Sequence, residues 1–350
     1  MELPQHWVTA DGFSPHLGQG GGTLTVWGWS SESEADAARV AQTRLAEALE
    51  RVAREGGLPP GHGYYPRVPM REPVLEEVDA ASGAQLGVVT RNRMGCEVLC
   101  TDLLFIADVD VPELEHDASR RATGGAGGGS VRSRDAAVGS GRGSDGGTGG
   151  GGIGGFFRRL LSGEPAPTPM APTAPEMDEQ DAGADETEVG SPLHAGASVA
   201  ETLACEPAWE FARRHPDLGV RVYRTAAGLR VLVTGASARP SSDRARSLLT
   251  ELGADPLYVE LCATHDSYRA RLTPKPFRVG ESALSVSWPF ADDAAREAHA
   301  EWVSEYDGRA SGHAVCRLLG TSGPDAGPDE QRLVSLHDAR CRVGERLPLA

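Results

Sequence analysis

The chain has 350 residues, 44 of them glycine and 24 proline, and a formal net charge of −16. That sign excludes coating of nucleic acid or anionic membrane through bulk charge, while leaving room for a local basic groove. No run is long and apolar enough to cross a bilayer, and the opening MELPQHWVTADGFSP lacks a basic segment followed by an apolar one, so a cytoplasmic protein with no membrane role is expected.

In chain order, GTLTVWGWSS alternates apolar and small polar residues and predicts a strand. A helix is predicted from Glu32 to Arg54, with Ala37, Val40, Ala41, Leu45, Ala48, Leu49 and Val52 on one stripe, Ser31 or Ser33 as cap and Gly56-Gly57 as stop. A proline-bearing loop, LPPGHGYYPRVPMREP, leads to three strand candidates, VLEEVDA, QLGVVTRNR and EVLCTDLLFIADVDV. Strand, helix, then consecutive strands suggests an antiparallel or mixed sheet with helices on one face.

From Asp117 to Ser198 the sequence is nearly all Gly, Ser, Pro, Ala and charge. It cannot bury enough apolar surface to offset the entropy of ordering, and it reads as a long disordered insertion. Inside it, GRGSDG matches a dinucleotide-binding spacing but follows no strand, so that reading is rejected; FFRRLLSG, from Phe156 to Gly163, is an apolar and basic island of the kind that docks on a partner or serves as a spacer.

Beyond the insertion, a helix is predicted from Val199 to His215, then GVRVYRTAAGLRVLVTGA as two strands joined at Ala226-Ala227-Gly228. Helices follow at Ser242–Leu252 and within DPLYVELCATH, a strand in SYRARLTPKPF, a long helix at Asp292–Tyr306, the strand HAVCRLLGTS and a last helix at Asp329–Arg340. The fold class is α+β. Residues 1–116 and 199–350, roughly 270 in all, are expected to build one core interrupted by the insertion, which is within ordinary domain size.

Three constellations carry candidate chemistry. Asp108 and Asp110 stand two apart on a strand, so their carboxylates share a face and converge as Mg²⁺ or Mn²⁺ ligands with phosphate oxygens completing the shell; a buried strand that merely exits into solvent would look the same. Arg221, Arg224 and Arg230 place guanidinium forks along the hairpin, suited to phosphate or, equally, to a solvated face. Arg269 and Arg271 share a strand face, with Lys275 and Arg278 following; Lys275 is the only lysine in the chain and sits between two prolines, as a phosphate contact or as a turn residue. The six cysteines form no recognisable metal spacing and are expected to be reduced core thiols, and His337 and Asp338, adjacent on a helix, point in different directions.

Taken together, FIADVDV and YRTAAGLRVLV resemble a degenerate archaeo-eukaryotic primase or primase-polymerase core. That family's paired aspartates are matched by Asp108 and Asp110, and its small residue, turn glycine and histidine by Thr225, Gly228 and Arg230, with arginine in the histidine's place. The resemblance implies a palm like an RNA-recognition fold, divalent metal and nucleotide as ligands, a catalytic role for Asp108 and Asp110, nucleotide contacts from Arg224, Arg230, Arg269, Arg271 and Lys275, and a third carboxylate for which Asp255 and Asp292 are candidates. A guanidinium cannot be the neutral acceptor that an imidazole is, so a nucleotide- or nucleic-acid-binding palm without efficient synthesis is expected. The competing expectation is a non-catalytic α+β interaction protein that presents residues 117–198 to protein partners.

Overall fold

The computed structural model describes residues 3–57, 69–112, 114 and 197–350. Residues 1–125 and 191–350 form one compact unit; a second unit, 126–190, lies outside the described residues, as does nearly all of the expected disordered insertion with its FFRRLLSG island. The architecture is α+β with antiparallel sheets.

The N-terminal part is a hairpin of β1 (His6–Ser14) and β2 (Gly22–Ser30), paired along its whole length, under α1 (Glu34–Glu55). Ser33 caps α1 by accepting from the Asp36 amide, and Gly56 ends it in the left-handed conformation. Ala10, Ala41 and Leu45 form the small core between hairpin and helix. Gly28 sets the approach: a Cβ there would lie 2.2 Å from the Ala37 carbonyl oxygen. β1 escapes the sequence reading because its polar residues and Gly12 mask the alternation, which only the ladder to β2 reveals.

Next come β3 (Val74–Asp79), β4 (Gln85–Arg91), β5 (Glu97–Thr101) and β6 (Phe105–Asp110). The run expected as one strand from Glu97 to Val111 breaks at residues 102–104, and its two pieces enter different sheets. After α2 (Val199–Arg214) follow the hairpin β7 (Gly219–Thr225) and β8 (Gly228–Thr234), α3 (Asp243–Glu251), α4 (Pro256–His265), β9 (Tyr268–Arg271), α5 (Asp293–Ala310), β10 (Cys316–Ser322) and α6 (Pro328–Arg340).

The sheets are ordered β3-β4-β5-β9 and β10-β7-β8-β6. Each half of the chain lends an edge strand to the other's sheet, β9 to the first and β6 to the second. Both sheets feed one core, with Val89 and Leu99 from the first, Ile106, Val222, Val231 and Leu232 from the second, and Phe211, Leu249 and Leu333 from the helices; each such side chain contributes about 1.5–3 kcal/mol on burial. Helices cover both faces of the second sheet, not one. Opposed residues in an antiparallel pair share a face, so Tyr223 and Arg230 look toward α6, which brings His337 against them, while Arg224 looks the other way, toward Glu201 on α2.

Candidate functional site

Asp108 and Arg230 are directly opposed in the β6–β8 ladder. The pair is a fork: Arg230 donates from Nε to Asp108 Oδ1 at 2.8 Å and from its second terminal nitrogen to Oδ2 at 3.3 Å. The same guanidinium donates at 2.8 Å to the Arg271 carbonyl on β9 and points at His337 Nε2, 3.3 Å away. Arg230 is 1% exposed and Asp108 27%. Burial pushes the Asp108 carboxyl up, but the charge and hydrogen bonds of Arg230, with the further charge of Arg271, more than reverse this and hold it below the usual aspartate value. Burial likewise opposes the Arg230 charge and Asp108 restores it, so Arg230 stays protonated.

Gly228 explains how β6 reaches its place beside the hairpin. A Cβ on Gly228 would lie 2.1 Å from the Val109 carbonyl oxygen, so the turn residue is glycine because the β6 backbone passes over it.

Asp110, opposite Gly228, sits at the exposed end of the same strand face. Its carboxyl is pushed up by partial burial, then by the charges of Asp255 and Asp108. Asp255 donates its amide to the Asp108 carbonyl at 3.3 Å and caps α4 by accepting from the Leu257 amide with Oδ1. Asp292 instead caps α5. Beside the carboxylates stands a cationic rim: Lys275 is pulled down to about 8 by burial, then by the neighbouring charges of Arg271 and Arg278, with Asp110 pulling the other way. Phe277 is 63% exposed, and Lys275 Nζ and the Arg278 guanidinium each lie 5.8 Å from its ring centre.

The structure therefore brings Asp108, Asp110, Arg230, Arg271 and Lys275 to one region. Three expected nucleotide contacts, Arg224, Arg269 and Arg230, are occupied otherwise. Arg224 is buried on the far sheet face, bonded to the Leu114 carbonyl at 2.6 Å and the Gly228 carbonyl at 3.3 Å and paired with Glu201. Arg269 is spent on Glu72 at 2.5 Å. Arg230 itself has no face toward solvent, which corrects its expected phosphate contact; being the only cation bonded to Asp108 among the described residues, it works as that carboxylate's internal counter-charge.

A second cluster lies behind Arg230. His337 Nδ1 is 2.9 Å from Asp338 Oδ1, and Asp338 Oδ2 accepts from Arg221 at 3.1 Å. Since a guanidinium only donates, Nε2 is the ring's lone-pair nitrogen and Nδ1 carries the proton. Cys316 Sγ lies 3.9 Å from Nε2, and Cys341 Sγ donates at 3.5 Å to the Arg271 carbonyl. The cysteine–histidine–aspartate order looks like a nucleophile with its base, yet Cys316 and His337 are both 0% exposed and no substrate reaches them. The group is hidden in the sequence because its two cysteines stand far apart along the chain; the available signal was His337 and Cys341 at i and i+4, on one helix face. All six cysteines are free and buried.

Among the described residues no helix is long and apolar enough to cross a membrane. No family model, curated protein or solved structure matches the chain.

Proposed function

We propose that the chain binds a nucleotide, or the phosphate and base of a nucleic acid, at the end of β6, together with Mg²⁺ or Mn²⁺. The observation that carries this is the meeting of Asp110 and Asp255 with the Arg271, Lys275 and Arg278 rim around exposed Phe277. Cations of the rim suit phosphate, an exposed aromatic ring suits a base, and crowded carboxylates suit a hard divalent ion.

The fit to the metal is uneven. Asp110 carries like-charge strain from Asp255 and Asp108 that a cation relieves, whereas both oxygens of Asp108 are bonded to Arg230. Two-metal phosphoryl transfer needs carboxylates free to bridge ions, so the residues support binding without efficient synthesis, in keeping with the primase-like resemblance and with arginine at position 230. Bound metal would supply charge neutralisation for the phosphates, and the chain's own part would be to orient them.

Calorimetry of the full chain with Mn²⁺ and a nucleoside triphosphate tests the reading. Binding is expected, weakened about tenfold or more in Asp110→Asn and in Lys275→Ala, the typical cost of losing one charge-assisted contact. Absence of binding to the unaltered chain, or identical affinity in both variants, would overturn it.

A further inference from the structure

Cys316, His337 and Cys341 are the three described side chains whose sulfur and nitrogen ligand atoms lie within 4.8 Å of one another with no carboxylate among them, and each is fully buried. The geometry points to a thiolate–imidazole site for a thiophilic cation of the zinc class, built between β10 and the end of α6 and separate from the β6 rim.

Four observations support this. The first is ligand chemistry: two sulfurs and one imidazole nitrogen are the donors that Zn²⁺ prefers. The second is spacing. Bonds of about 2.3 Å to sulfur and about 2.0 Å to nitrogen put tetrahedral ligands roughly 3.5–3.8 Å apart, and Cys316 Sγ already stands 3.9 Å from His337 Nε2. The third is the tautomer. Asp338 accepts a hydrogen bond from Nδ1–H at 2.9 Å, leaving the Nε2 lone pair toward the two thiols, the carboxylate–histidine arrangement that orients metal-binding imidazoles. The fourth is charge. Two thiolates and Zn²⁺ sum to zero, and the adjacent Arg230 is already balanced by Asp108, so loading buries no net charge.

Loading is balanced as follows. Each thiol loses its proton to solvent, two sulfur–metal bonds and one nitrogen–metal bond form, and Arg230 gives up its contact with Nε2 while keeping Asp108 and the Arg271 carbonyl. Because a thiol must lose its proton to bind a cation, uptake releases protons and weakens as pH falls. Because none of the three ligands reaches solvent, the ion enters as the chain folds.

The experiment refolds the full chain with Zn²⁺ or Co²⁺, removes free metal and measures bound metal by mass spectrometry and cobalt–thiolate charge-transfer absorption. A single tightly held ion with a thiolate spectrum is expected. Asp338→Asn, which keeps the side chain's shape, should weaken metal affinity by about 10–100-fold, and Cys205→Ala, altering a buried thiol on α2, should not change it. Cys341→Ala should abolish the spectrum; if that variant does not fold, Asp338→Asn and the unaltered chain decide. A folded chain that takes up no cobalt, or equal metal affinity in the unaltered chain and Asp338→Asn, would overturn the proposal, as would equal loss in Cys205→Ala.

Discussion

Removing the Asp108 carboxylate is the sharpest perturbation of the region. Arg230 is 1% exposed, Asp108 supplies two of its hydrogen bonds, and the remaining acceptors are the Arg271 carbonyl and a neutral imidazole. Asp108→Ala would leave a buried guanidinium without counter-charge, at a cost of about 3–5 kcal/mol. For a unit of this size that corresponds to a fall in Tm of roughly 6–20 °C, read by circular dichroism melting and by urea titration. The double change Asp108→Leu, Arg230→Met removes both charges and should recover most of the loss, since apolar pairs of similar volume often replace buried ion pairs at little cost. The pH dependence has a definite sign. With its folded pKa held below an unfolded value of about 3.9, Asp108 contributes stability that is complete above that value and is lost as pH falls through the folded pKa. The acid limb of the stability curve should accordingly flatten in Asp108→Asn. A cost below about 1 kcal/mol for Asp108→Ala, within the range of an exposed pair, would refute the claim that Asp108 alone balances Arg230.

The rim and the hairpin give further tests. Asp110 has a raised pKa, so its contribution to stability falls as pH rises past the ordinary carboxylate range; Asp110→Asn should leave the neutral-pH Tm equal or higher while weakening Mn²⁺ binding about tenfold or more. Lys275, the only lysine, titrates near about 8, so an amine-directed acylating reagent at mildly alkaline pH should modify it, apart from the N-terminus, and a bound nucleoside triphosphate should protect it. Phosphate affinity at the rim should decline as pH rises through that value, and a flat profile from pH 7 to 9 would remove Lys275 from the site. Gly228→Ala forces a Cβ against the Val109 carbonyl and should cost about 1–3 kcal/mol or more by prising β6 from the hairpin; an unchanged urea midpoint would show that the strands part freely.

Much of the local structure was legible in the sequence. Apolar periodicity and a serine cap marked α1, the helices α2 and α3 were expected close to their observed bounds, and Ala226-Ala227-Gly228 marked the β7–β8 hairpin. Strand alternation placed Asp108 and Asp110 on one face. These features depend on neighbours within a few residues, and the chain records such neighbours directly. What the sequence could not reveal is decided by pairing across long separations. Nothing near residues 102–104 announces that β5 and β6 enter different sheets, because that depends on β9 and β8 standing beside them. Whether an arginine faces phosphate or a buried carboxylate depends on what lies opposite: Arg224 and Arg230 look alike in sequence, yet one pairs with Glu201 and the other with Asp108, on opposite faces of the same sheet. Cys316 and the helix carrying His337 and Cys341 converge only because β10 pairs with β7 while α6 packs over that face. A buried charge or thiol takes its chemistry from its contacts, and only the tertiary structure supplies those contacts.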